Sequence, residues 1–218
     1  MNLKKYRDEL NQQRRRIFVS GIGTDVGKTF VSAVLVEALK ADYWKPIQTG
    51  SITSTDSVKL KELVSNTRSV IHPESFCLKE PISPHAAAKM ESVSIELSNI
   101  HLPAGSNTII IEGAGGLMVP LNDKEFMIDL IKKLDAEVVL VIRNYLGSIN
   151  HSLLSIDELK FRKLNVLGLI FNGPGDTASE DIILKYSGLR CLGRINQEID
   201  INRATVLKYV HDFESLLK

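Results

Sequence analysis

Cysteine is almost missing from this sequence. Cys77 and Cys191 are the only two, at no spacing that suits a metal, so neither a disulfide framework nor a cysteine zinc site is expected. Both are expected to be reduced, packed thiols of a cytoplasmic protein. Long apolar runs are missing too, and none approaches the roughly 20 residues that a membrane-spanning helix needs. An excess of either charge is also missing: 27 Lys and Arg stand against 26 Asp and Glu, for a formal net charge of +1. That balance gives no global reason to expect nucleic acid or a membrane as partner. Met1 to Arg16 is charged and polar, unlike a secretory signal. No internal repeat or low-complexity tract is visible.

The composition is ordinary for one soluble globular domain, with 44% hydrophobic and 24% charged residues in 218. Residues 1–15 are read as a charged lead-in. The Arg14-Arg15-Arg16 run near its end is read as solvated in preference to a nucleic-acid arm. Residues 16–218 are read as a single domain. Within it, strand-like apolar runs recur: Arg16–Ser20, Tyr43–Lys45, Asn107–Ile111, Glu137–Ile142, Val166–Phe171 and, more weakly, Leu189–Ile195. Between several of them lie helical patterns at Phe30–Lys40, Glu125–Leu134, Asn150–Phe161 and Ser179–Tyr186. The alternation implies an α/β fold, a mainly parallel sheet with helices on both faces. Ligands of such sheets bind beyond the carboxyl ends of the strands. Candidate chemistry stands at that edge: Gly21–Thr29 after the first strand, Lys45 ending the second, Glu112 after the third and Asn172 after the fifth.

The strongest motif is Gly21-Ile22-Gly23-Thr24-Asp25-Val26-Gly27-Lys28-Thr29. Strand, glycine-rich turn, Lys-Thr and helix are the parts of a P-loop. Glycines let backbone N–H groups converge on phosphate oxygens, and the helix adds its positive dipole end. The Lys28 ammonium can reach the β- and γ-phosphates, and the Thr29 hydroxyl can ligate Mg²⁺. The spacing departs from the common pattern, with five residues rather than four between Gly21 and Gly27. A dinucleotide fold would need a different final glycine spacing and leaves Lys28-Thr29 without a task. Asp42, a candidate ribose acid for that rival, falls before the second strand rather than at its end.

Mg²⁺ prefers carboxylates, phosphates and water. Glu112 suits it, because a charge just after the buried run Ile109–Ile111 is costly unless used. Asp56 also fits, although for an isolated acid in the Ser51–Ser57 stretch an N-cap role is equally plausible on pattern alone. Pro46 biases Lys45 toward an extended backbone at the ligand edge. There its ammonium can neutralise a carboxylate, a carbamate or a transferring phosphoryl group.

Six segments together resemble the dethiobiotin synthetase family: Gly23–Thr29, Trp44–Gly50, Ser83-Pro84-His85, Ile111–Gly116, Leu146–His151 and Phe171-Asn172-Gly173. They span roughly Arg16 to Gly193. The resemblance implies a P-loop NTPase-like fold and ATP- and Mg²⁺-dependent ring closure of 7,8-diaminopelargonate with CO₂. It implies nucleotide binding by Asp25, Val26, Gly27, Lys28, Thr29, Phe30, Glu112, Gly113, Ala114, Gly115, Asn172 and Gly173, with Asn172 facing adenine. Mg²⁺ would be held by Thr29, Asp56 and Glu112. Lys45 and Lys28 would be catalytic, Thr49 would hydrogen-bond the carbamate, and Gly147, Ser148 and Asn150 would bind the substrate's tail carboxylate across a homodimer interface. His85 and His151 are read as structural.

Two segments depart from the family pattern. Gly21-Ile22-Gly23 carries an extra glycine, and Gly193-Arg194-Ile195-Asn196 has Asn where Pro is common, near the segment expected to hold the base. Switch ATPases of the ParA or MinD kind are the main rivals. They carry a further lysine early in the loop, where this chain has Gly21-Ile22-Gly23. A larger amide-forming synthetase would need a glutaminase-like segment, and none is visible in the 218 residues. A catalytically dead nucleotide-binding module is opposed by the intact Lys28, Thr29, Lys45 and Glu112.

Overall fold

The computed structural model describes residues 14–50 and 53–214. Its strands are β1 (Arg16–Gly21), β2 (Asp42–Trp44), β3 (Ile47–Thr49), β4 (Ile71–His72), β5 (Phe76–Leu78), β6 (Ile109–Gly116), β7 (Glu137–Ile142), β8 (Val166–Asn172) and β9 (Cys191–Ile195). Among the described residues seven of them form one parallel sheet in the order β4-β2-β6-β1-β7-β8-β9. β3 and β5 form a separate parallel pair. The helices are α1 (Lys28–Leu39), α2 (Asp56–Leu63), α3 (Pro84–Met90), α4 (Met127–Lys133), α5 (Ser148–Phe161), α6 (Thr177–Ser187) and α7 (Arg203–Glu214).

Alternation along the central strands divides the core into two layers, because successive side chains of a strand point to opposite faces. Phe18, Ile109, Ile111, Leu140 and Phe171 pack with α4, α5 and α6. Ile17, Val19, Ile110, Val141 and Ile170 pack with α1, α2 and α7. Burial on both faces explains why these strands read as unbroken apolar runs. In α1 eleven of its twelve residues are buried, Lys28 and Glu37 included, which fits a helix covered by α7 and α2 as well as by the sheet.

Strand order also decides which loops meet. β2, β6 and β1 are neighbours, so residues leaving their carboxyl ends converge although they are far apart in sequence. The ends of β7 and β8 lie on the other side of β1.

Two sequence expectations are corrected. Arg14, expected in a solvated lead-in, is 3% exposed. Its guanidinium donates to the carbonyl oxygens of Asn107 and Pro103 and to Asp42 Oδ2, the last at 2.5 Å. Arg15 pairs with Glu137, and Arg16 donates to the Leu134 carbonyl. The arginine run therefore fastens the entry of β1 to its surroundings, and the packed chain begins by residue 14; the lead-in through residue 13 lies outside the described residues. Cys77 and Cys191, expected to be packed, are free and exposed.

Candidate active site

An open cleft of about 830 Å³ lies beyond the carboxyl ends of β1 and β2 and along the second half of β6, and its lining includes Lys28, Thr29, Lys45, Thr49, Asp56 and Glu112. Each comes from a different local cause. β1 ends at Gly21, and the loop after it turns into α1 at Gly27, whose φ is +91°. A Cβ at Gly27 would lie 2.0 Å from Asn172 Nδ2, so a side chain there would have to displace the Asn172 amide as well as adopt a strained φ. Lys28 then starts the helix, folded back so that its Nζ donates to the Gly23 carbonyl at 2.9 Å. Burial pulls this ammonium down to about 8, against the attraction of Glu112 and Asp56.

Glu112 is the centre of the floor and is 1% exposed. Its Oε1 accepts from Thr29 Oγ1 at 2.9 Å and from Lys45 Nζ at 3.0 Å, and its Oε2 accepts from Tyr43 OH at 2.8 Å. Lys45 Nζ also donates to Asp56 Oδ2. Burial alone would lower the Lys45 pKa, but Glu112 and Asp56 outweigh it and hold the ammonium charged. Asp56 is depressed in turn: burial pushes it up, and Lys45, then Lys59 and Thr29, pull it further down. Burial and the neighbouring Glu112 push the Tyr43 phenol well above its ordinary range, so it stays a donor. Two ammoniums and two carboxylates thus share a small space, where buried charges persist because they are paired.

Asp56 does not cap its helix. Thr55 is the N-cap of α2, its hydroxyl accepting from Val58 N, and Asp56 is the first helical residue, with its N–H donating to Gln48 Oε1 at 3.1 Å. The Gln48 Nε2 donates to the Thr49 carbonyl at 2.7 Å. The β3 segment after Pro46 therefore fixes both Thr49 and Asp56.

Asp25, Gly27, Phe30, Ala114 and Gly115 also line the cleft. Val26 is buried in the α1-side core, and Gly113 lies against the Phe18 ring. Asn172 donates from Nδ2 to the Val26 carbonyl at 2.8 Å, touching the phosphate loop from the β8 end. Gly173, with φ +101°, is held by its N–H to the Ile195 carbonyl at 2.8 Å.

Gly147, Ser148 and Asn150 are not brought to this cleft within one chain. They form the start of α5, with Gly147 at φ +101° and no side chain capping the helix. Asn150 is exposed, as are Leu146 and Leu154, while Ser148 is buried. His151 accompanies them, its Nδ1 2.6 Å from Tyr145 OH. His85 stands in the first turn of α3, its N–H donating to the Pro120 carbonyl. Asp42 sits at the opposite end of β2 from Lys45 and is occupied by Arg14.

A family model described as an AAA domain matches residues 15–205. The ATP-dependent dethiobiotin synthetase BioD of Cytophaga hutchinsonii is 50% identical over 196 residues, covering 89% of this chain and 95% of that protein. The protein of the same name from Christiangramia forsetii is 49% identical over 200 residues, covering 92% and 96%. The chain belongs to the dethiobiotin synthetase family. Among solved structures, a ParA family ATPase from Chlorobium tepidum matches with a TM-score of 0.58 at 14% identity, covering 91% of this chain and 98% of that one. At that identity the likeness establishes the P-loop fold alone. The two comparisons agree with the loop: the fold is shared with switch ATPases, while the sequence belongs to a synthetase.

Sequence reading did not single out Tyr43 or Gln48. Tyr43 had a usable signal. It stands two residues before Lys45 on a strand, hence on the same face, where a phenol next to a lysine and a glutamate has a partner to meet. The Gln48 contact depends on the fold of residues 47–56 and left no periodic trace.

Proposed function

We propose that this enzyme converts 7,8-diaminopelargonate, CO₂ and ATP into dethiobiotin, ADP and phosphate. One amine of the substrate adds to CO₂ and loses a proton, giving a carbamate. A carbamate oxygen attacks the γ-phosphorus and ADP leaves. The neighbouring amine then attacks the carbonyl carbon of the carbamic-phosphoric anhydride, phosphate leaves, and the ureido ring closes. Such a sequence needs positioning and charge neutralisation more than covalent help from the protein.

The observation that carries this reading is Lys45. It is a buried ammonium on the cleft floor, beside the phosphate loop, held between Asp56 and Glu112. Nucleotide binding by the loop already has the Lys28 ammonium, so a second buried cation beside it suits a further anionic group, the carbamate. In the proposed reaction Lys45 neutralises the carbamate and then its phosphorylated form, and Thr49 at the end of β3 donates to it. Lys28 and the N–H groups of Gly27–Thr29 cradle the triphosphate, with Asp25, Val26 and Phe30 beside it. Ala114 and Gly115 line the same wall, and Asn172 and Gly173 serve the base.

Mg²⁺ fits the donor set. Among the described residues no group of three or more His, Cys, Asp or Glu is gathered to hold a metal. Thr29, Asp56 and Glu112 instead offer one hydroxyl and two carboxylates, which suits an ion that usually keeps water and phosphate oxygens as its remaining ligands. Mg²⁺, when bound, supplies neutralisation of the charge that builds on the transferring phosphoryl group.

Gly147, Ser148 and Asn150 are proposed to take the tail carboxylate of the substrate in a partner's cleft, through the uncapped N-terminus of α5. That requires a homodimer, supported by the exposed Leu146 and Leu154 beside the site. No helix among the described residues is long and apolar enough to cross a membrane, and the substrates are small polar molecules.

The decisive experiment incubates the enzyme with diaminopelargonate, bicarbonate and MgATP and measures dethiobiotin, ADP and phosphate. Equal amounts of the three are expected. ADP and phosphate formed without dethiobiotin would leave only an ATPase.

A further inference from the structure

Tyr43 lies at the closed end of the Glu112 network. It is 0% exposed, its backbone pairs in register with Ile110, and its side chain shares the α1 face of the sheet with Lys45 and Glu112. Glu112 has two carboxylate oxygens, and their partners are divided. Oε1 serves Thr29 and Lys45 on the cleft side, and Oε2 serves Tyr43 in the core. A carboxylate on a strand can rotate about its last torsion, which is broad and roughly two-fold. One firm hydrogen bond from a rigid buried donor selects one orientation, and a neutral donor to an ionised acceptor is among the stronger hydrogen bonds. Tyr43 is such a donor. Its ring is clamped between α1 and the sheet, so its hydroxyl cannot follow Glu112 if the carboxylate turns.

We infer that Tyr43 is a positioning residue of the metal site: by holding Glu112 Oε2 it keeps Oε1 turned toward Thr29 and the ion that Thr29, Asp56 and Glu112 receive. It touches neither substrate nor metal and acts through Glu112 alone. Partners that orient a metal-binding carboxylate typically matter by about 10- to 100-fold in metal affinity or activity. The inference rests on the Mg²⁺ reading of Thr29, Asp56 and Glu112, and its test separates the two.

ADP binding is measured by calorimetry in EDTA and across a Mg²⁺ series, for wild type and for Tyr43→Phe. Wild type is expected to bind ADP more tightly as Mg²⁺ rises. In Tyr43→Phe the affinity in EDTA should be unchanged, while the Mg²⁺ concentration giving half of the enhancement rises about 10- to 100-fold. A merely structural role would lower the melting temperature and leave that Mg²⁺ midpoint where it was, which overturns the inference. No Mg²⁺ enhancement in wild type overturns the metal reading itself. Should Tyr43→Phe not fold, Glu112→Gln is compared with the double variant Tyr43→Phe/Glu112→Gln, which has no buried carboxylate to strand. Identical Mg²⁺ midpoints in those two are expected, and a further shift on losing the hydroxyl would show Tyr43 acting by another route.

Discussion

Glu37 and Glu112 are almost equally buried, at 2% and 1% exposed, yet they keep different chemical company. Glu37, on α1, accepts from the backbone N–H groups of Ser65 and Asn66, from Asn66 Nδ2 and from Lys40 Nζ. These donors belong to the turn at Ser65-Asn66 and to Lys40, the residue that caps the end of the helix. The Glu112 donors are the side chains of Thr29, Tyr43 and Lys45. Two of those three line the cleft. Burial of a charge therefore does not separate structure from function. The separation lies in whether its partners are fixed backbone or side chains that face a ligand.

The sharpest way to break this comparison is to remove the cleft-side partner. Lys45→Gln should slow dethiobiotin formation about 100- to 1,000-fold, roughly 3–4 kcal/mol, the usual cost of losing one preorganised donor. ATP should still bind, because Lys28 remains, and Lys45→Arg should rescue poorly, since a planar fork does not replace a compact ammonium. A near wild-type rate in Lys45→Gln would make the Glu112 cluster as structural as that of Glu37.

The complementary change is Glu37→Gln, for which stability should fall while turnover per folded molecule stays the same. Burial pushes Glu37 up, but Lys40, the Ser65 N–H and Asn66 outweigh it and bring it from 4.5 to about 2. A pKa held below its unfolded value stabilises the fold above the unfolded pKa, and that stability is lost as pH falls from about 4.5 toward 2. Urea unfolding between pH 7 and pH 2 follows this loss, and Glu37→Gln should flatten the acid limb. An unchanged limb would mean that other carboxylates dominate acid unfolding.

The smallest expected signal tests whether the cleft is complete in one chain. Mixed Lys45→Gln and Asn150→Ala subunits should recover about a quarter of wild-type activity, since random pairing leaves one intact site in half of the dimers. No recovery after proven subunit exchange would place the α5 N-terminus outside the reaction.

Much of this arrangement is legible in the chain because it is local. The phosphate loop is contiguous, and Ile109–Ile111 of β6, Val138–Ile142 of β7 and much of β8 are apolar runs of the kind a doubly covered sheet requires. Lys45 stands directly after β2, where the fold rule about strand ends places it; Glu112, expected just after a strand ending at Ile111, is instead the fourth residue of β6, which runs on to Gly116. What escaped is short or distant. β3 and β5 have three residues each and pair across nearly thirty positions. Arg14 reads as one of three exposed arginines because its acceptors, Asp42, Pro103 and Asn107, lie far along the chain. α7 did carry a helical signal, with Val206, Tyr209, Val210 and Phe213 buried at spacings of three and four, but its polar residues mask it.

Gly27 carries a consequence for how this sequence can change over time. Two independent barriers guard it: a φ of +91° that side chains rarely adopt, and Asn172 Nδ2 standing 2.0 Å from where a Cβ would go. Shortening residue 172 would open the space but leave the backbone conformation strained for a side chain, and it would surrender the Asn172 bond to the Val26 carbonyl as well. Making room at 172 therefore removes only one of the two obstacles to a side chain at 27. Position 172, 145 residues further along the chain, is thus tied to the loop by one brace, and an exchange there that loses the bond is expected to loosen the loop.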